Sequence, residues 1–445
     1  MIDLIILGLL QAIFLPGTCF IIFSQNNTFI EKLNLSELFC FAVLISAFIN
    51  YFLVIFLYSL QLYTQEVMLG IIFCEIIFIG LKIKWKLLKS NEMYLLTINK
   101  NYYIYRLIFL TFPIVYFWIF KSELLTVFSG WDAVVSWNRW AVELFNGNLQ
   151  STWGYPLGLP ALISLVYKVA NETNIQLFAK WICWIWPLVG AMLLLNCSYR
   201  YKPLKFEFII TPLIFLYLMD QVFFPGFIFS GYVDPIMSVY GAFSIYCYLF
   251  LYLNRTGQDV VFNWKNYLIL GLLLSGGAFF KLTMFWLIGV FCILQLIYIP
   301  RSSRKAVLQY AFCTISIGLV SISWYFWVFI GANDFPVSAN FSLMDDSILK
   351  RVVGYAGFLR FIFGWTLSTL FIFSLLVSRV ARITFLTIIF PLFLFCAVVA
   401  GYDIRASYIL YAPISLLISI SVCYIIRVFC QLVPYIINRL RYLLG

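Results

Sequence analysis

The chain has 445 residues, of which 64% are hydrophobic and 11% are charged, and its formal net charge is +11. This composition excludes a soluble globular domain and is typical of a protein with many membrane-spanning helices. The positive charges lie in short loops between apolar segments, as the positive-inside rule requires, so nucleic acid is not predicted as a partner.

Two further features of the composition narrow the possible chemistry. The chain contains no histidine, which excludes Ser-His-Asp catalysis and histidine-ligated metals and leaves Asp, Glu, Lys or Tyr to transfer protons. The 11 cysteines lie in or beside apolar segments and form no CxxC pair. Neither a disulfide framework nor a cysteine metal site is therefore predicted.

About thirteen membrane-spanning helices are predicted along the chain. No basic region follows Met1, which favours a first span over a cleaved signal peptide, and Pro16-Gly17 predicts a kink near the end of that span. The predicted spans cover residues 2–23, 38–62, 67–83, 103–120, 175–197, 206–224, 235–253, two short helices within 267–299, 307–330, 357–377, 383–400 and 407–428.

Two apolar segments do not fit a single complete crossing. Residues 157–170 are few and contain Pro160, and counting them as a full span would place the basic run 200–205 outside the cytoplasm. A half-inserted segment obeys the charge rule, and we adopt that interpretation. Residues 267–299 contain two glycines and Lys281, which predicts two short helices that meet near Lys281, inside protein or beside a wet cavity.

The distribution of basic residues also predicts the orientation of the chain. Lysines at 82–100 indicate a cytoplasmic loop, so the next span leads to a first external loop at 121–156, and a second external loop is predicted at 331–351. We expect an all-α polytopic transmembrane protein with a three-span N-terminal extension at 1–102 and a catalytic module at 103–445. The expected location is the cytoplasmic (inner) membrane of a bacterium, with the active site on the non-cytoplasmic side.

The first external loop contains a stretch, residues 129–144, with the pattern of a short amphipathic helix. One face carries polar side chains and another carries apolar ones, namely Asp132, Ser136, Arg139 and Glu143 against Trp137, Trp140, Ala141 and Leu144. Such a helix is expected to lie in the membrane interface, with its tryptophans towards the lipid and its charges towards an approaching substrate.

Asp132 is the candidate catalytic residue of this loop. As a general base it would take the proton of a hydroxyl acceptor while the anomeric carbon of a sugar leaves its phosphate. The alternative is that Ser129 and Asp132 form a capping box at the start of the helix. The tryptophans could stack on sugar faces or anchor the loop in the interface. The loop residues predicted to bind substrate are Trp131, Trp137, Asn138, Arg139, Trp140, Glu143 and Tyr155.

Charged residues from distant spans complete the predicted site. Lys281 lies deep in an apolar stretch, where an ionisable residue indicates function by default. It could neutralise a phosphate, or instead snorkel or pair with a structural carboxylate. Arg405, beside Asp403, could bind the same phosphate bidentately, pair with a loop acid or be a helix-end charge. Asp234 precedes Pro235 and is predicted to bind substrate or to cap a helix.

Four of these features together resemble the GT-C superfamily of membrane glycosyltransferases, in particular its family-39-like, aminoarabinose-transferase-like branch. They are Trp131-Asp132, Tyr155-Pro156, Lys281 at a broken helix, and Asp403-x-Arg405-x-x-Tyr408, and the resemblance covers about residues 103–425. The resemblance implies a polyprenyl-phosphate-linked sugar donor, an inverting displacement with Asp132 as base, and Lys281 and Arg405 as phosphate ligands. The acceptor would be a cell-envelope glycan, lipid or protein.

The acidic residues and the external loops bear on the cofactor and on the class of protein. Asp132 has no neighbouring second acid, so no cofactor is predicted and a divalent metal is not favoured. A polysaccharide polymerase or ligase is an alternative, but arginine-rich external loops are expected of it and only Arg139 and Arg351 stand out here. A flippase or transporter of lipid-linked glycans would predict repeat symmetry between the two halves, which we do not find.

Overall fold

In this computed structural model the described part of the chain is 88% helix and contains no strand. The structure describes residues 1–24, 30, 33–89, 100–149, 155–200, 205–221, 227–255, 264–281, 283–298, 313, 315–320, 348–398 and 407–444. The all-α prediction is confirmed for these residues. Apolar segments of this length become helices because a helix satisfies each backbone N–H and C=O within its own segment.

The α-helices of the described residues are α1 (Ile2–Ile13), α2 (Leu15–Phe23), α3 (Leu35–Ser59), α4 (Gln65–Lys89), α5 (Lys100–Phe120), α6 (Arg139–Phe145), α7 (Gly158–Ala170), α8 (Gln176–Ala179), α9 (Trp181–Arg200), α10 (Lys205–Gln221), α11 (Asp234–Arg255), α12 (Trp264–Ser275), α13 (Met284–Tyr298), α14 (Ile348–Val377), α15 (Arg379–Thr384), α16 (Phe390–Val398) and α17 (Tyr408–Leu444). Short 3₁₀ segments are Lys121–Leu125, Phe227–Phe229 and Gly276–Phe279, and π-helical segments are Ala133–Asn138 and Phe385–Ile389.

Several of these helices are long and apolar enough to cross a membrane. By length and hydropathy, five spans qualify among the described residues, and two bent helix pairs raise the number to seven. The five are Leu35–Ser59, Leu107–Leu125, Gln176–Ser198, Arg379–Val398 and Tyr408–Ile436, and the pairs are α1 with α2 and the two halves of α14. An integral membrane protein is supported. Thirteen spans are not confirmed, because other predicted segments form helices that are too short or too polar to qualify, or lie outside the described residues.

The first span is bent, as its proline predicts. Helices α1 and α2 meet at Phe14 with an angle of 50° between them, just before the predicted kink. Pro16 has no N–H to donate to the carbonyl of Ala12 four residues earlier. The side-chain amide of Asn50 in α3 takes its place, donating to the carbonyl oxygens of Gln11 at 2.7 Å and Ala12 at 3.3 Å.

Helix α7 is a short helix buried inside the protein. All of its 13 residues except Lys168 are buried, and it packs against α1, α3 and α6. A helix of this length is about 20 Å long and cannot cross a hydrocarbon core of about 30 Å. The predicted N-terminal extension therefore shares a core with the following segment, and the boundary at residue 102 stays a prediction.

One buried ion pair fixes which helix ends lie together. Glu37, at the start of α3, accepts hydrogen bonds from Arg200 Nε at the end of α9 and from the Tyr246 hydroxyl of α11, both at 2.7 Å. At the other end of α3, the Tyr58 hydroxyl accepts a hydrogen bond from the backbone N–H of Leu149. The ends at Glu37 and Arg200 thus lie together, opposite the first-loop end.

This arrangement agrees with the half-inserted interpretation of residues 157–170. The predicted crossings between residues 37 and 200 are 38–62, 67–83, 103–120 and 175–197. That number is even, and returns the chain to its starting side, only if residues 157–170 are not a complete crossing. Which end faces the cytoplasm stays a prediction.

The segment around Lys281 is broken, as predicted. Helix α12 ends at Ser275, a 3₁₀ turn covers Gly276–Phe279, and α13 begins only at Met284. The ring of Phe279 stacks on Tyr51 of α3, with centroids 4.2 Å apart. A Cβ atom on Gly158 would overlap the carbonyl of Phe279, so the glycine allows α7 to approach the break closely. Lys281 is held just beyond this contact.

Candidate active site

The predicted helix of the first external loop is present, but its register differs from the expected one. Residues Ala133–Asn138 are π-helical and continue directly into α6. Because a π-helix pairs residues five apart instead of four, Trp137 comes to the same side as Asp132. Both residues line one pocket together with Ser136 and Trp140. The prediction of separate polar and tryptophan faces is therefore wrong.

The pocket has a volume of about 160 Å³ and is built from three distant parts of the chain. These are the first-loop helix with Tyr155, the first residue of α11, and the break between α12 and α13. Its lining residues are Asp132, Ser136, Trp137, Trp140, Tyr155, Asp234 and Lys281. The sequence predicted all of these as site residues except Ser136. The position of Ser136, four residues after Asp132, could have indicated that both residues face the same site.

Two glycines allow the first loop to pack against the turn that precedes α11. A Cβ atom on Gly130 would overlap the ring of Tyr232, and one on Gly231 would overlap the ring of Phe128. Gly231 also has a φ angle of +99°, which residues with a side chain rarely adopt. These close contacts hold Asp132 and Asp234 at one pocket although they are far apart in the sequence.

The backbone N–H of Ser129 does not make the hydrogen bond of the predicted capping box. A capping box would pair the Asp132 carboxylate with the backbone N–H of Ser129. That N–H instead donates to the carbonyl oxygen of Ser230 at 3.4 Å, and the Asp132 side chain makes no cap hydrogen bond. Asp132 is half-buried and contributes to the pocket wall, so the capping alternative loses its support.

Lys281 and Asp234 form a buried ion pair in the pocket wall. The Lys281 ammonium donates to Oδ1 of Asp234, and the two residues are only 8% and 1% exposed. Asp234 is the first residue of α11 and is followed by Pro235, which suits the start of a helix. A buried lysine stays charged in such surroundings only when a carboxylate compensates it. The alternative in which Lys281 pairs with a carboxylate is realised, and phosphate binding stays a prediction.

Aromatic rings form one wall of the pocket. Trp137 meets the rings of Trp140 and Tyr155 edge-on, with centroids 5.1 Å and 5.8 Å away, and Trp140 lies nearly parallel to Tyr155 at 6.1 Å. Trp137 and Trp140 are 4% and 1% exposed. They are thus covered by protein, and the prediction that they face lipid is wrong. Trp131 is 76% exposed and does not line the pocket.

The remaining predicted site residues that the structure describes do not line the pocket. Asn138 is buried and accepts a hydrogen bond from the Tyr167 hydroxyl at 2.6 Å. Arg139 and Glu143 form an ion pair one helical turn apart, with Nε and Oε1 separated by 3.3 Å. Their substrate contacts stay predictions. Asp403 and Arg405 lie outside the described residues.

Comparison of the chain with protein-family models, with curated proteins and with solved structures gives no match. The geometry of this pocket and its surroundings is therefore the basis for a proposed function.

A larger apolar cavity lies near the pocket. It has a volume of about 450 Å³ and is lined by side chains of α14, α16, α17 and the π-helical segment between α15 and α16. Phe363 in its wall contacts the ring of Tyr411 at 5.9 Å. Tyr408 and Tyr411 of α17 are in electrostatic range of Asp234. Tyr411 thus contacts the wall of the apolar cavity and also interacts with an acid of the polar pocket.

Metal binding at the pocket is limited by the partners of its acids. The described residues contain no group of three or more Cys, Asp or Glu side chains that could hold a metal ion. Asp132 and Asp234 line the same pocket, but Asp234 binds the Lys281 ammonium. The geometry offers a carboxylate, an ammonium and an aromatic wall, which suits an uncharged polyhydroxylated group attached to an anion.

Proposed function

We propose that the chain is an integral-membrane glycosyltransferase of GT-C-like type that moves a sugar from a polyprenyl-phosphate carrier to a cell-envelope glycan, lipid or protein. The reaction takes place on the non-cytoplasmic side of a bacterial inner membrane. The observation that carries this proposal is one pocket that combines Asp132, Lys281 and three aromatic rings. These groups match the three parts of the reaction: an acceptor proton, a phosphate and a sugar.

Asp132 is the proposed general base. In an inverting displacement the acceptor oxygen bonds to the anomeric carbon, the bond from that carbon to the phosphate oxygen breaks, and the acceptor proton passes to a base. In a chain without histidine a carboxylate is well suited to this role. The Asp132 carboxylate reaches the pocket from a helix whose capping it does not serve.

Lys281 is the proposed partner of the donor phosphate. An ammonium stabilises the negative charge that develops on the departing phosphate. Asp234 holds Lys281 in the pocket wall and keeps it charged until the donor arrives. The incoming phosphate then shares the Lys281 ammonium with Asp234.

The size and lining of the pocket favour a single sugar. Its volume of about 160 Å³ is below the ~300–1,000 Å³ of pockets that enclose drug-sized ligands. Trp137, Trp140 and Tyr155 provide ring surfaces and polar edges on which a pyranose or furanose can lie. An oligosaccharide would extend beyond this space.

The neighbouring apolar cavity supports a lipid-linked donor. Its walls carry Phe363, Phe371, Phe393 and aliphatic residues of α17, which suit a hydrocarbon chain. Tyr411 of α17 contacts Phe363 in the wall of that cavity and interacts electrostatically with Asp234 of the pocket. A carrier lipid in the cavity would bring its phosphate towards Lys281.

The direct test is transfer of label from a radiolabelled polyprenyl-phosphate sugar by the full-length protein in membrane vesicles. Lipid, glycan and protein fractions are counted separately, so that the assay also identifies the acceptor class. We expect Asp132→Asn to reduce transfer by about a hundredfold to ten-thousandfold, as for loss of a general base. The matched control is Glu123→Gln, a carboxylate on the same loop that does not line the pocket.

Two results would contradict the proposal. Transfer by Asp132→Asn at the wild-type rate would remove Asp132 as the base. Movement of the labelled lipid across the vesicle membrane without any covalent product would instead identify the chain as a flippase.

A further inference from the structure

A second polar cluster lies in the N-terminal helices, away from the candidate active site. It consists of Gln11 of α1, Asn50 of α3 and Glu75 of α4. Glu75 is at the middle of α4, beside the exposed apolar side chains Phe73 and Ile76. A face with such neighbours suits lipid, and an ionisable residue in this setting indicates function by default.

The donors of this cluster are occupied. The Gln11 side chain is completely buried, and its Nε2 donates to Asn50 Oδ1 at 3.1 Å. The bend before Pro16 leaves the backbone carbonyls of Gln11 and Ala12 without a helical N–H donor. The Asn50 amide donates to both of them instead. The Gln11 amide also lies close enough to the Glu75 carboxyl group to interact with it. Gln11 and Asn50 therefore stabilise the bent helix as well as contacting the acid.

Two acceptors in the cluster lack a donor. Oε1 of Gln11 and Oε2 of Glu75 are both buried, and neither accepts a hydrogen bond from the described residues. A buried acceptor without a donor is unfavourable, and a buried charged oxygen is more so. A proton on Glu75 removes the charge and adds the one donor that the cluster lacks.

We propose that Glu75 is an intramembrane proton-binding site, occupied by a proton when the protein is at rest. This inference does not depend on the transferase activity. A proton fits better than a metal cation, because two unoccupied oxygens are fewer than the six or so that hard cations require.

The surroundings of Glu75 hold few other titratable groups. The thiol of Cys19 in α2 donates to the backbone carbonyl of Glu75 at 3.7 Å. Glu66 and Lys168 interact with each other at the N-terminal end of α4, more than two turns away. Cys19 is neutral as a thiol and cannot compensate a Glu75 carboxylate.

Reaction with dicyclohexylcarbodiimide tests this proposal, since this apolar reagent modifies protonated carboxyl groups within membranes. The full-length protein in liposomes is treated at about pH 6, well above the ordinary range of a carboxyl group, and the modified peptide is identified by mass spectrometry. We expect the label on Glu75 and its loss in Glu75→Gln. The matched control is Glu66→Gln on the same helix, which should keep the label.

Glu66 is a suitable control because it differs from Glu75 in environment alone. It is exposed, and a backbone hydrogen bond together with the Thr64 hydroxyl lowers the pKa of its carboxyl group. It should therefore be ionised and unreactive. Labelling of Glu75 should also fall as the pH is raised towards about 9, with no protection by sodium.

Three results would overturn the proposal. Absence of label on Glu75 at about pH 6 would show that the acid is ionised or inaccessible. Equal modification by a water-soluble carbodiimide would place it in water. Suppression of labelling by sodium ions would identify a cation as the ligand instead of a proton.

Discussion

Two buried ion pairs, one at the start of α11 and one beside its middle, have different surroundings. Glu37 is fully buried, and its carboxylate accepts hydrogen bonds from Arg200 on both oxygens, from the Tyr246 hydroxyl and from the backbone N–H of Asn34. The other pair, Lys281 with Asp234, lines the pocket that also contains Asp132. Asp234 lies twelve residues before Tyr246 on α11, about 18 Å along the helix.

The surroundings of Glu37 suit a structural charge, whereas those of Lys281 suit a charge that can bind a ligand. The Glu37 carboxylate is enclosed by donors from α3, α9 and α11, so a ligand would have to displace protein to reach it. Lys281 and Asp234 border a cavity. An anion can therefore approach the Lys281 ammonium without breaking the packing contacts between helices. Burial alone, at 0% for Glu37 and 8% for Lys281, does not distinguish the two roles.

The largest effect on stability is expected from Glu37→Gln. Removing one member of a buried ion pair leaves the other charge uncompensated and costs about 3–5 kcal/mol. We expect a clear fall in the thermal unfolding temperature of the protein in detergent, and unchanged transfer per folded molecule. Asp3→Asn, at an exposed position of α1, is the control. A stable variant with lost transfer would contradict a purely structural role.

Asp234→Asn should have a smaller effect on stability and a specific effect on the donor. Lys281 would lose a charged hydrogen bond, worth about 1.5–3 kcal/mol, but water in the pocket can partly replace it. We expect a raised KM for the polyprenyl-phosphate sugar, because Asp234 positions Lys281. The matched control is Glu207→Gln, which breaks the pair of Glu207 with Arg427 between α10 and α17. An unchanged KM in Asp234→Asn would contradict the positioning role.

The sequence predicted Lys281 and Asp234 separately as site residues because charges are rare in an apolar chain, but it did not predict that they pair with each other. Lys281 after Gly276 and Gly277 indicated both a broken helix and a functional residue, and Asp132 and Asp234 were among the few acids in predicted external turns. The kink at Pro16 and the short helix at 157–170 followed from backbone chemistry and length. These features are local, so a single sequence contains the information for them.

The features that the sequence missed depend on register or on distant contacts. The π-helical turn at Ala133–Asn138 moves Trp137 beside Asp132, and residue spacing alone does not indicate such a turn. Glu37 and Arg200 are 163 positions apart, and their pairing arises from the packing of α3 against α9. The number of spans is not confirmed, because hydropathy does not separate a membrane-spanning helix from a short helix buried in protein and some predicted spans lie outside the described residues.

The smallest effect is expected from Arg139→Gln, on the same helix as Asp132. The Arg139 side chain is 43% exposed, and its pair with Glu143 is an i,i+4 contact on a helix surface. Pairs of this kind contribute about 0.3–0.5 kcal/mol, so the unfolding temperature should hardly change. The KM for the donor should rise less than in Asp234→Asn, because Arg139 does not line the pocket. A larger rise than in Asp234→Asn would mean that the donor extends past the pocket along this helix, and the sequence-based role of Arg139 in substrate binding would then be correct.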